Sequence, residues 1–477
     1  MYETSTPGQY YHIHESLDPE PTLKFLGLTS EEELKEWRSL EDWREVVKVI
    51  APRVKEHSRE HMDSLNNNKT KQAGTMVLRH KEFVLTEHGK AEQQSLNWTV
   101  KKMELGPGEI RKIQEASPSK WPKFKDDGKR RPLKGIKVPE LCRIIAGPTI
   151  GRILDEYGAQ VMKVTGPETS DVPFFQVDVN MGKHTIMLDL KTEEGKKEFD
   201  GLLAEADIVL DGYRPGAIEA RGYGPVGLEK LGRHRKQGGY VYVAENCYGH
   251  VGVWKSRPGW QQIADCFSGV AWAQGEFMRP DGAKDGANRV EPIVPPFPMS
   301  DYGTGCMGAI AAMVGLYHRA KSGGTWRGQT SLLQYDLLLF RCEQYPKEFQ
   351  DQIRKSLGYD KPRTKPKDGT RPEIPDFWDL KHDNSVDQVS GAAYRLMEEH
   401  FPAYFKNKTL LQDWNAPYFT APGESKVPVL RAVVPVVKIE GFIVAHQRAS
   451  RPDMIVKADR KATWYDADWE EEEPRTS

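Results

Sequence analysis

Gly182-Lys183-His184-Thr185-Ile186-Met187-Leu188-Asp189-Leu190 runs straight into Lys191-Thr192-Glu193-Glu194-Gly195. Residues 185–190 read as a short apolar strand, 192–206 as a helix and 207–210 as a second strand. Strand, helix, strand is the unit from which parallel sheets are built, since parallel neighbours need a long crossover. The pattern extends in both directions. Upstream, 135–141 reads as a strand, 147–158 as a helix with Pro148 in its first turn and Gly158 at its end, and 161–164 as a strand. Downstream, a helix is expected over 216–231 and a strand over 240–244. Such alternation over more than a hundred residues predicts an α/β fold, a parallel sheet covered by helices on both faces. Its ligand crevice would lie beyond the carboxyl ends of the strands.

The flanks differ in character. Residues 1–22 lack a clear period and are expected to form a poorly ordered lead-in. Overlapping capping boxes start at Thr29 and Ser30, and Val46, Val47, Ile50 and Val54 keep a helical spacing. These features predict a small, mostly helical N-terminal domain. With the basic linker that starts at Lys120 it accounts for residues 1–125; the large domain takes 126–345, and 346–477 holds a linker and a C-terminal α/β segment returning to the large domain. In that last segment a helix is expected near 389–399 and strands over 427–437 and 441–445.

A formal net charge of -1 over 477 residues gives no global reason to expect nucleic acid or an anionic membrane as partner. The five cysteines are scattered without a CxxC pair, which argues against a disulfide framework and a cysteine-rich zinc site and points to a reducing compartment. No stretch reads as a membrane span or leader, so a cytoplasmic protein is expected. His57-Ser58-Arg59-Glu60-His61 fits an H-x-x-E-H zinc pattern if both histidines share a helix face, but it sits in a charged run without a third ligand, and no metal site is assigned. Gly222-Tyr223-Gly224-Pro225-Val226-Gly227 satisfies G-x-G-x-x-G, yet it does not join a first strand to its helix, so no dinucleotide site is assigned either.

Chemistry is suggested by Met299-Ser300-Asp301-Tyr302-Gly303-Thr304-Gly305, followed by a small-residue segment from Cys306 to His318. The reading is a carboxylate on a flexible turn that opens a helix, where unpaired N–H groups favour the ionised form. The small residues behind it would let another backbone approach closely.

Taken in order, several pieces resemble the class III CoA-transferases, which include formyl-CoA and carnitine-CoA transferases and the 2-methylacyl-CoA racemases. The pieces are Pro132 to Val138, Ala146-Gly147-Pro148, Gly158 to Val164, Gly182 to Gly195, Ala206 to Leu210, Tyr213-Arg214-Pro215-Gly216 and Asp301-Tyr302-Gly303-Thr304-Gly305. The resemblance implies a Rossmann-like domain that binds CoA, with acyl-CoA and a small carboxylic acid as substrates and no tightly bound cofactor. It implies covalent catalysis by Asp301, the N–H groups of Gly303 and Gly305 serving the oxyanion. Lys183, Tyr213, Arg214 and Arg221 would contact CoA, and the assembly would be a homodimer. The implied activity is transfer of CoA from an acyl-CoA donor to a carboxylic acid; acyl-CoA isomerisation and a non-catalytic CoA-binding scaffold are the alternatives.

The chain departs from the family pattern at three places. Ile145 replaces a polar residue before Ala-Gly-Pro, residues 165–175 lack an arginine, and Trp260 stands where racemases carry a histidine. The last departure removes the expected proton-transfer base unless Asp265 substitutes for it.

Overall fold

The computed structural model describes residues 1–14, 19–40, 43–95, 109–112, 130–168, 172–232, 235, 238–278, 290–295, 297–356, 398, 401–405, 407, 409–420, 425–450, 464 and 474. The expected helix near 389–399, most of the basic linker and the acidic tail therefore lie outside the described residues, apart from single positions. In place of three consecutive domains, contacts divide the chain into two discontinuous units. One takes Met1–Asn97, Cys247–Ser300 and Leu332–Tyr404; the other takes Trp98–Asn246, Asp301–Ser331 and Phe405–Ser477.

The second unit contains the sheet that the sequence predicts. Its strands are β4 (Glu109–Lys112), β5 (Lys137–Leu141), β6 (Gln160–Thr165), β7 (His184–Met187), β8 (Ile208–Asp211), β9 (Val241–Asn246) and β10 (Trp326–Ser331), in the order β4-β10-β9-β8-β5-β6-β7. Six run parallel, with Val138 opposite Val161, Leu210 opposite Val243 and Gln329 opposite Ala244; β4 joins the edge antiparallel. Strands covered on both faces must be apolar throughout, and Val138, Val161, Val164, Ile208, Val209, Leu210 and Val243 are all buried. One face packs on Phe199, Leu202 and Leu203 of the helix Glu193–Glu205. The other packs on Ile150 and Leu154 of Ala146–Glu156 and on Ala309, Ala312 and Leu316 of Met299–Ser322.

The small residues of that last helix have a steric reason. A Cβ on Gly315 would lie 2.5 Å from Val241 Cγ1, so the backbone packs directly onto β9. The chain also returns to this unit after residue 405. A hairpin of β11 (Leu411–Asn415) and β12 (Val429–Val433) is followed by Gln447, whose amide donates to Asp155 Oδ1 at 2.7 Å, and by Arg448, whose carbonyl accepts from Gly182 N at 3.0 Å. Residues 441–445, expected as a strand, run without regular pairing.

In the first unit the lead-in is not disordered. β1 (Tyr2–Glu3) and β2 (Tyr10–Ile13) form an antiparallel sheet with β3 (Gly74–Val77), so this region is mixed rather than mostly helical. Tyr11 is fully buried among Leu23, Leu34, Val54 and Met62 of the surrounding helices, and this burial keeps a short three-stranded sheet in place. The capping box at Ser30 forms as read, with Glu33 N donating to Ser30 Oγ at 3.2 Å and Ser30 N to Glu33 Oε2 at 3.0 Å. The two histidines of the H-x-x-E-H run do not share one helix, although their rings lie 5.1 Å apart. Ser58 caps the helix Arg59–Leu65, so His57 precedes it, and Glu60 bonds Arg59. No helix among the described residues is long and apolar enough to cross a membrane.

Candidate active site

Asp301 sits in the first turn of the 24-residue helix Met299–Ser322 and is 9% exposed. A carboxylate there faces the positive end of the helix dipole. The turn is helical rather than a flexible loop, which corrects the expectation for Gly303 and Gly305. Both lie inside the helix, where an N–H is committed to the carbonyl four residues back. The N–H groups outside that ladder are those of the first turn itself. Gly305 has a packing role instead: a Cβ there would fall 2.5 Å from Thr149 Cβ and Cγ2, so it lets two helices meet. Beside Asp301, Tyr302 Oη donates to Asp178 Oδ2 at 2.6 Å, and Arg152 pairs with the other oxygen of the same carboxylate. Thr304 is fully buried, with no hydrogen-bond partner for its hydroxyl among the described residues.

The sheet order reverses at β5, whose neighbours are β6 and β8. A cavity of about 140 Å³ opens beyond the carboxyl ends of β5, β6 and β8. Leu141, Val164 and Leu188 line it, with Tyr213, Ala217 and Ile218 and with the charged residues Glu168, Asp189, Lys191 and Arg221. Glu168 and Lys191 form an ion pair. Two of the expected CoA contacts, Tyr213 and Arg221, are thus brought together, while Arg214 is exposed and is not part of the lining. Asp211 fixes the turn, accepting from Tyr213 N at 3.1 Å and from Tyr242 Oη at 2.6 Å. Burial raises the Asp211 carboxyl to about 6, and burial followed by the Asp211 charge raises Glu245 to about 8.

Lys183 is placed differently from the expectation. It is fully buried, with its ammonium 2.7 Å from Glu140 Oε2 and 2.6 Å from Pro148 O. All its visible partners are interior groups of the protein, so it anchors the start of the helix Ala146–Glu156 to β5 rather than facing a ligand. Ile145 is also buried, so the replaced polar position adds to the core. Asp265 is buried and hydrogen-bonded to Gln261 and Ser300, so it is not an exposed substitute for the missing histidine.

Sequence reasoning missed Arg143. It follows β5 on the turn where Ile144 has φ 66°, an unusual conformation for a β-branched residue. Its Nε and Nη2 are buried without a hydrogen-bond partner among the described residues. Its position just before Ala146-Gly147-Pro148, at the switch in strand order, was the available signal.

The sheet, its switch point and the aspartate helix define a class, and direct comparison agrees. Residues 133–369 match CoA-transferase family III, and through this segment the chain belongs to that family. It is 37% identical over 344 residues to an acetyl-coenzyme A transferase of Hypoxylon pulicicidum, covering 72% of this chain and 54% of that protein. It is 33% identical over 347 residues to an acyl-CoA transferase of Gibberella moniliformis, covering 72% of this chain and 56% of that protein. The chain therefore spans about half the length of these curated relatives. A crystal structure of a CaiB/BaiF family protein from Brucella suis aligns with 68% of this chain and 97% of that one, at 19% identity and a TM-score of 0.42.

Proposed function

We propose that this protein transfers CoA from an acyl-CoA donor to a carboxylic acid, with Asp301 as the covalent nucleophile. The observation that carries the reading is the placement of Asp301, a largely buried carboxylate in the first turn of a helix packed on the sheet. Membership of CoA-transferase family III supports the class of reaction.

The steps balance without a redox partner. An Asp301 oxygen attacks the thioester carbonyl, the carbon–sulfur bond breaks, and CoA leaves as thiolate from an acyl–aspartyl anhydride. The thiolate then attacks the Asp301 carbonyl carbon, breaking the anhydride and releasing the donor acid as carboxylate. Asp301 now holds CoA as a thioester. An acceptor carboxylate repeats the two steps in reverse, so thioester energy is conserved. First-turn N–H groups are the donors suited to the oxyanion at Asp301. The cavity beside Tyr213 and Arg221 is the binding region for CoA in this scheme. A homodimeric, cytoplasmic enzyme completes the reading; five free cysteines support the reducing compartment, and light scattering tests the dimer.

The test is to incubate the protein with a panel of acyl-CoAs, trap with hydroxylamine or borohydride, and map peptides by mass spectrometry. Modification at Asp301 is expected. Transfer that proceeds with Asp301 unmodified, or that survives Asp301→Ala, would overturn the mechanism. CoA binding with no transfer from any donor would favour the scaffold alternative.

A further inference from the structure

The Ser300 hydroxyl lies between two carboxyl groups, 2.9 Å from Asp265 Oδ1 and 2.7 Å from Asp336 Oδ1. Asp265 comes from the helix Gln261–Ser268 and Asp336 from Leu332–Arg341; both are fully buried, and Ser300 is 2% exposed. The outer oxygens are also engaged. Gln261 Nε2 donates to Asp265 Oδ2 at 2.7 Å, and Ser268 Oγ donates to Asp336 Oδ2 at 2.9 Å.

Counting protons decides the charge state. Gln261 and Ser268 supply the two outer hydrogen bonds, but Ser300 has a single proton for two inner ones. The second inner bond needs a proton on a carboxyl, which donates to Ser300 Oγ or to the facing carboxyl, since the two acid side chains also hydrogen-bond each other. No ion pair reaches either carboxyl among the described residues, and two adjacent charges in a dry interior would repel strongly. Burial pushes both carboxyls up, and the Asp265 charge adds to the rise at Asp336. The other titratable groups facing the cluster are Cys266, the Met1 amino group beside that thiol, and His80, whose Nδ1 lies 2.9 Å from Ser268 O.

We propose that Asp265 and Asp336, sharing one proton, are positioning residues that clamp the first turn of the Asp301 helix through Ser300. Ser300 and Asp301 are adjacent in that turn, so holding one fixes the backbone of the other. A helix end otherwise frays, and displacement of a nucleophile by about 1 Å can cost on the order of a hundredfold in rate. The proposal rests on Asp301 being the nucleophile.

Three variants test it: Ser300→Ala, Asp336→Ala and Asp336→Asn. The two alanine variants should lower kcat at least tenfold while leaving KM for acyl-CoA within twofold. Asp336→Asn keeps an N–H donor toward Ser300, so it should recover much of that loss and hold its activity to higher pH than the wild type. Folded alanine variants with wild-type kcat, or losses confined to KM, would overturn the clamp. If the wild type transfers CoA from no donor, the transferase reading fails, and the cluster is then judged by stability alone. A carboxyl that keeps its proton in the fold, as burial and the Asp265 charge make Asp336 do, loses stability as pH rises above the usual carboxylate range. Asp336→Asn should flatten that loss, and an unchanged pH dependence would remove the shared proton.

Discussion

Lys183 Nζ lies 2.7 Å from Glu140 Oε2, and neither side chain has any exposed surface. Removing one partner takes a counter-charge from the other in a dry interior, at a cost of about 3–5 kcal/mol. Lys183→Met and Glu140→Leu should each lower stability by that order in denaturant titration. The double variant should recover most of the loss, because two uncharged side chains need no partner. A ligand-facing lysine would behave otherwise, with Lys183→Met weakening CoA binding and leaving stability unchanged.

Gly305→Ala places a methyl group 2.5 Å from Thr149 Cβ. Overpacking of this kind costs about 1–3 kcal/mol, and here the strain falls one helical turn beyond Asp301. Thermal unfolding should show the loss, and adding Thr149→Gly should relieve part of it. A Gly305→Ala variant as stable as the wild type would show that the two helices can separate freely.

Ala217→Trp fills the cavity beside Tyr213 and Arg221. Titration calorimetry with free CoA should show affinity reduced tenfold or more, while the unfolding midpoint changes little. Unaltered affinity would move CoA away from this cavity.

His88 is fully buried, and its ring is fixed as the neutral form. Nδ1 accepts from Trp254 N at 3.2 Å, which leaves Nε2–H to donate to Tyr248 O at 2.7 Å. Burial pushes its pKa down to about 4, below the usual 6.5. The folded state therefore binds this proton less tightly than the unfolded chain, so the contribution is complete above pH 6.5 and is lost as pH falls toward 4. His88→Gln should lose less stability than the wild type between pH 7 and pH 5 in matched denaturant titrations. Parallel curves would show that His88 does not titrate in that range.

Local pattern carried most of the large domain. Apolar strands at regular intervals, Pro148 near a helix start and Gly158 at its end correspond to β5, the helix Ala146–Glu156 and β6. The signal failed where partners are distant in sequence. Nothing within residues 1–22 reveals that Tyr10 pairs with Val77, so a strand there read as disorder. Nor does local sequence show that residues 247–300 and 332–404 group with the N-terminal segment, because a domain made of separate pieces has no single compositional boundary.

The motif around Asp301 shows the same division. Sequence alone determined an acid at the start of a small-residue helix behind a parallel α/β domain, because helix ends, strand periods and glycine placement are local properties. Tertiary structure decided what the neighbouring residues do. It put Gly305 against Thr149, paired Lys183 with Glu140, and brought Asp265, Ser300 and Asp336 together across 71 positions of sequence, from 265 to 336. Each of these depends on burial and on a partner from another element, which a one-dimensional pattern does not specify.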